Sequence, residues 1–201
     1  MSIDKPNEQK MEPKEKELTQ EESLRIIHEM ISAAKNDVKA DSFIFLLWGW
    51  LVFVASITQF ILVIMESKWN SIPWMLMPIG GVITIIYSIR RGKQDKTKTN
   101  VTESLKYTWI AFTVALLIIM FFNSMEFIQV LPCIMVLYGM GLFLSGGAIK
   151  FKPLIFGGIF CWICAIAGFE IQNIYQLLIL AAAVFGGYIV PGYLLKMSNK
   201  K

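Results

Sequence analysis

The sequence predicts an all-α membrane protein, with six transmembrane helices arranged as three antiparallel hairpins behind a cytoplasmic amphipathic helix. Three observations predict this. Apolar residues make up 55% of the chain and charged ones only 17%, against roughly 25% charged in an ordinary soluble domain. Half of the charged residues fall in the first 41 positions, and six long apolar stretches beyond them carry none. A six-span path also places all but one of the 19 Lys and Arg residues on the same side of the membrane.

The elements follow in order. Residues 1–18 are rich in Glu, Lys and Gln, contain Pro6 and Pro13, and have too few apolar groups to offset the entropy of ordering, so they are expected to form a disordered polar tail. Thr19 and Glu22 have capping-box spacing, and Leu24, Ile27, Ile31, Ala34 and Val38 recur at helical intervals behind them. This predicts an amphipathic helix over 19–41. Its polar face carries mixed charge, which suits docking on a protein better than lying in lipid. The first apolar stretch, 43–65, is long enough to cross a hydrocarbon core of roughly 30 Å at about 1.5 Å per residue. Ten acidic residues precede it, the reverse of the basic start of a cleaved secretory signal, so it is expected to act as an uncleaved anchor. The remaining spans are 72–89, 107–122, 127–149, 153–169 and 174–195, completing a bundle over 42–196 with a short cytoplasmic tail at 197–201. Short connectors after the first, third and fifth spans define the hairpins. Spacings shared by Lys106, Gly141 and Lys150 with Lys152, Gly187 and Lys196 hint at a repeated unit.

Orientation comes from charge. The N-terminus, the 90–106 loop, Lys150 with Lys152, and the C-terminus hold every Lys and Arg except Lys68. By the positive-inside rule both termini are cytoplasmic. Trp69 and Trp74 near one boundary, and Trp48, Trp50 and Trp109 near the other, fit interfacial aromatic belts.

Few residues carry chemistry. His28, the single histidine, lies before the first span, which excludes Ser-His hydrolysis, histidine-ligated zinc and bis-histidine haem inside the bundle. There is no phosphate-binding loop or dinucleotide fingerprint. No catalytic residue, cofactor or metal site is therefore expected. Glu66, Glu126 and Glu170 stand at the outer ends of the hairpins and, with Gln59 in the first span, could line an acidic outward-facing mouth for a small solute or cation. The spans have no charge at mid-membrane, which counts against ion-coupled transport. Cys133, Cys161 and Cys164 lie in apolar runs; paired thiols near an outer surface can serve quinone-linked redox chemistry, but no neighbouring cation would activate these, and buried packing is the simpler reading. Ser56, Thr58, Gln59, Thr84 and Ser88 read as interhelical hydrogen-bonding groups. The glycine pairs at 80–81, 146–147, 157–158 and 186–187 read as points of close helix approach, and Pro78 and Pro191 as kinks. The 90–106 loop sets six basic residues against Asp95 and Glu103 with no interleaved aromatics, so it suits lipid headgroups or a protein partner rather than nucleic acid.

The segments SFIFLLWGWLVF (Ser42 to Phe53), PWMLMPIGG (Pro73 to Gly81) and YIVPGYLLK (Tyr188 to Lys196) resemble a group of small bacterial six-span membrane proteins with no assigned activity, over a stretch from about Ile26 to the end. The resemblance implies a bacterial cytoplasmic membrane and no particular chemistry. A looser likeness, of architecture alone, is to acid-resistance-associated membrane proteins built from two-helix repeats. The leading expectation is a non-enzymatic scaffold or sensor in the lipid bilayer, reaching cytoplasmic protein partners through 19–41 and 90–106, with self-association open to it. The alternatives are a small-solute transporter or channel component and, more weakly, a membrane thiol oxidoreductase.

Overall fold

The computed structural model describes residues 21–29, 42–92, 100–121, 127–171 and 173–198. The predicted tail 1–18, the rest of the 19–41 helix, the middle of the basic loop and residues 199–201 lie outside the described residues. Residues 21–29 form a helix, α1. Then come α2 (Ser42–Ile64), a 3-10 turn (Ile72–Met75), α3 (Leu76–Gly92), α4 (Asn100–Phe121), α5 (Phe127–Ala148) and α6 (Lys152–Glu170). The last span is divided into α7 (Gln176–Val184), a π turn (Phe185–Ile189) and α8 (Val190–Met197). Among the described residues there is no strand, and six helical stretches are long and apolar enough to cross a membrane. The chain is a multi-pass transmembrane protein with an all-α fold.

Helix boundaries depart from the apolar runs where backbone chemistry decides. α4 starts at Asn100, well before the span predicted from 107, because a helix needs hydrogen bonds rather than apolar side chains to continue; Glu103 in its first turn also complements the helix dipole. Pro73 opens the 3-10 turn, where its missing N–H would have had no partner. α2 and α5 end in the same paired capping pattern. Glu66 adopts a left-handed φ of 53°, with its N–H on the Val63 carbonyl and the Ser67 N–H on the Leu62 carbonyl, both at 3.0 Å. Lys150, also at φ 53°, donates to the Gly147 carbonyl at 3.2 Å while the Phe151 N–H reaches the Gly146 carbonyl at 2.9 Å. Both positions favour glycine, so a side chain at each costs about 1 kcal/mol.

Contacts between neighbouring helices fix their register. Gly80 of α3 lies beneath Leu51 of α2, and Trp48 bonds Thr84. Phe112 of α4 meets Tyr138 of α5. Gly146, Gly139 and Pro132 of α5 face Ile155, Gly158 and Gly168 of α6 in turn. Gly157 of α6 meets Gly187, and Phe53 of α2 meets Phe185. Gly141 also faces Trp109 of α4, Gly186 faces Phe160 of α6, and Gly49 of α2 faces Ile189, so in each pair the residue numbers rise on one helix as they fall on the other and neighbours run antiparallel. One end of the bundle thus gathers Lys106, Lys150, Lys152 and Lys196, hereafter the basic end, and Glu66 and Glu170 lie at the opposite end.

Burial is unequal. Over half of the α5 and sixth-span windows is buried (56% each), against 11% for α3 and α4. The core is therefore α2, α5, α6 and the divided sixth span, with α3 resting on α2 and α4 on α5. The most extensive pairing is α5 with α6, and glycine explains it. A Cβ on Gly158 would stand 2.7 Å from the Gly139 carbonyl oxygen, and one on Gly139 would stand 2.8 Å from that of Gly158. Backbones this close gain dispersion contact, which substitutes for a hydrophobic driving force that lipid does not supply.

Candidate functional site

Polar groups in the bundle interior are few, and the fold collects them at two levels. The first lies toward the end opposite the basic one. Gln59 of α2 is buried, and its Oε1 accepts a 2.6 Å hydrogen bond from the Trp74 indole N–H on the 3-10 turn. Phe60 of α2 and Tyr175 at the start of the sixth span meet at a tilt, ring centroids 6.0 Å apart, which by register sets Gln176 at the level of Gln59. Gln176 is fully buried, and its Nε2 donates to the Gly168 carbonyl at 2.6 Å. That carbonyl belongs to the last turn of α6, which lacks intrahelical partners, so Gln176 acts as a side-chain cap supplied by another helix. The Gln176 Oε1 and the Ser56 hydroxyl, one turn from Gln59, have no hydrogen-bond partner among the described residues.

The second level lies around the π turn. Pro191 has no N–H, and in an α-helix its ring would clash with the carbonyl four residues back, that of Gly187. Instead the chain widens: the Val190 N–H bonds the Phe185 carbonyl, five residues away. The widened turn swings Tyr188 into an aromatic cluster joining α2, α4, α5 and the sixth span. Tyr188 meets Tyr138 edge-on at 5.2 Å and Phe45 at 6.2 Å, Phe45 meets Trp109 at 5.8 Å, and Phe112 stacks on Tyr138 at 5.7 Å. The Tyr188 hydroxyl is buried without a partner among the described residues, as is that of Ser145. An unmet hydroxyl costs about 1–3 kcal/mol.

The predicted site residues are placed as follows. Glu66 and Glu170 are both exposed at the ends of α2 and α6. Gln59 turns inward and is held by Trp74. Glu126 lies outside the described residues. Cys161 is fully buried, donating to the Ala183 carbonyl at 3.5 Å. Cys164 is buried, Cys133 half-buried, and all three cysteines are free thiols. The α5–α6 register sets Cys133 and Cys164 at one level of adjacent helices. The described residues hold no group of three His, Cys, Asp or Glu able to bind a metal.

Sequence reasoning overlooked Gln176, Tyr138 and Tyr188. A glutamine two residues inside an apolar span was a usable signal for the first, since such a group must find a partner. For Tyr188 the signal was Gly186-Gly187 ahead of Pro191, which marks where a helix can widen. Tyr138 had none, because an aromatic in an apolar run looks like any core residue. No family model, curated protein or solved structure matches the chain.

Proposed function

We propose that the protein is a non-enzymatic scaffold or sensor of a bacterial cytoplasmic membrane, with both termini in the cytoplasm and three hairpins anchoring an N-terminal segment that binds a protein partner. The observation that carries this reading is on α1. Leu24 and Ile27, one helical turn apart, are 62% and 50% exposed, and an apolar stripe in water is costly unless something covers it. Arg25 and Glu29 pair across one turn at 3.6 Å on the same helix, which supports the helical state at the margin. The basic residues flanking the 90–106 loop offer a second contact on the same side, and a second copy of the chain is one candidate partner.

Photo-crosslinking residues introduced at positions 23 and 28, beside the Leu24 and Ile27 stripe, test this reading in intact cells. It expects adducts to a discrete protein, lost when the partner positions are disrupted by the double variant Leu24→Glu, Ile27→Glu. Adducts to lipid alone would overturn it.

The second reading, a transporter or channel component, is favoured by one observation: the free Gln176 Oε1 and Ser56 hydroxyl are buried at the level of Gln59. Against it stands the Gln59–Trp74 bond, which already engages the Gln59 carbonyl that would have faced a solute. Solute flux into vesicles that rises in a Trp74→Ala variant would favour transport over the scaffold.

A further inference from the structure

Given the docking role proposed above for α1, on which this step rests, we propose that its partner is a second copy of this chain. The basic end of that copy receives the Leu24 and Ile27 stripe together with the acidic residues around it. The segments 90–106, 150–152 and 196–201, which meet at the basic end, hold eleven Lys and Arg residues against two acidic ones, Asp95 and Glu103. The segment before α2 is the reverse, with seven basic residues against ten acidic. Within α1, Glu21, Glu22 and Glu29 stand against Arg25 alone, and Arg25 is paired with Glu29.

The surface at the basic end matches the stripe. Phe43 meets Tyr87, Phe45 meets Trp109, and Gly192 lies beneath Leu46, so the ends of α3, α4 and α8 gather round the start of α2. Exposed apolar residues there stand next to bases: Ile89 before Arg90, Tyr107 after Lys106 and Met197 after Lys196. An apolar stripe bordered by carboxylates thus finds apolar groups bordered by cations, and complementarity of this kind sets partner choice. A lipid surface fits less well, because anionic headgroups repel an acidic segment. The chain's own basic end is within reach, yet Leu24 and Ile27 remain exposed in a single copy. Residues 30–41, which join α1 to α2, extend to at most about 40 Å, enough to reach a bundle lying alongside. Mutual exchange across a two-fold axis covers both stripes and sets acidic segments between basic ends that would otherwise repel.

Two differently tagged full-length copies expressed together in cells test the pairing, one of them carrying a photo-crosslinking residue in place of Ser23. An adduct bearing both tags is expected. Glu21→Lys with Glu22→Lys in the crosslinking copy should lower its yield about tenfold. Lys106→Glu with Lys196→Glu in the other copy should then restore most of it. All four positions are exposed, so both copies should reach the membrane in unchanged amounts. Adducts confined to the copy that carries the crosslinker overturn the proposal in favour of docking on its own basic end. So does a yield that the glutamate reversal leaves unchanged or that the lysine reversal does not restore. Adducts to a different protein overturn it while leaving the scaffold reading intact, and adducts to lipid alone overturn both.

Discussion

At the scale of single residues, the interior is governed by where donors and acceptors find each other. Gln59 and Trp74 are polar groups on different segments, and in lipid neither has water to turn to. Trp74→Phe keeps the ring and removes the donor. It is expected to lower stability by about 0.6 kcal/mol, and by no more than about 1.7 kcal/mol, read as a lower thermal midpoint in detergent. The further change Gln59→Leu in that background should recover part of the loss, because it removes the orphaned acceptor. At the end of α2 the backbone rather than the side chain decides. Glu66 sits in a left-handed conformation, so Glu66→Gly is expected to raise stability by about 1 kcal/mol, and Glu66→Ala should not.

At the scale of elements, glycine pairs that look alike in sequence behave differently. Gly158 lies against the Gly139 carbonyl, whereas Gly81 and Gly147 face open space. Gly158→Ala should therefore cost about 1–3 kcal/mol through overpacking of two backbones. Gly81→Ala should be neutral or stabilising by up to about 1 kcal/mol, because alanine is the better helix former. Denaturation of the two variants in the same detergent checks both, and equal destabilisation would show that α5 and α6 are not in this register. The sixth span makes the same point differently. Its length and apolarity predicted one span with a kink at Pro191, and that proline, four residues after a glycine pair, turned the middle of the span into a π turn. The π turn then placed Tyr188 among Tyr138 and Phe45.

At the scale of the whole molecule, antiparallel packing sorts charge by end. Lys106, Lys150, Lys152 and Lys196 gather at one end, which the orientation proposed from the positive-inside rule puts on the cytoplasmic side. Cysteines introduced at positions 95, 151 and 199, in a background with Cys133, Cys161 and Cys164 replaced by alanine, are expected to react with a membrane-impermeant maleimide only after the cells are permeabilised. Those introduced at 68 and 124 should react in intact cells. The reverse pattern would invert the orientation, and mixed labelling would mean that a span does not cross.

The sequence by itself determined the number of spans and their approximate limits, because crossing a hydrocarbon core demands a long uncharged helix and leaves a signal at every residue of it. It also marked most of the places where helices come close, since glycine and proline act through the backbone that carries them. Which glycine of each pair faces a neighbour was decided only by the tertiary structure. So was the choice of α2, α5, α6 and the last span as the core: all six spans are apolar on every side, and periodicity cannot tell a lipid-facing surface from a helix-facing one. The polar level at Gln59 was half legible for the same reason. The glutamine itself stood out in its span, but its partner Trp74 and its counterpart Gln176 lie on other segments, and only folding sets them at one depth.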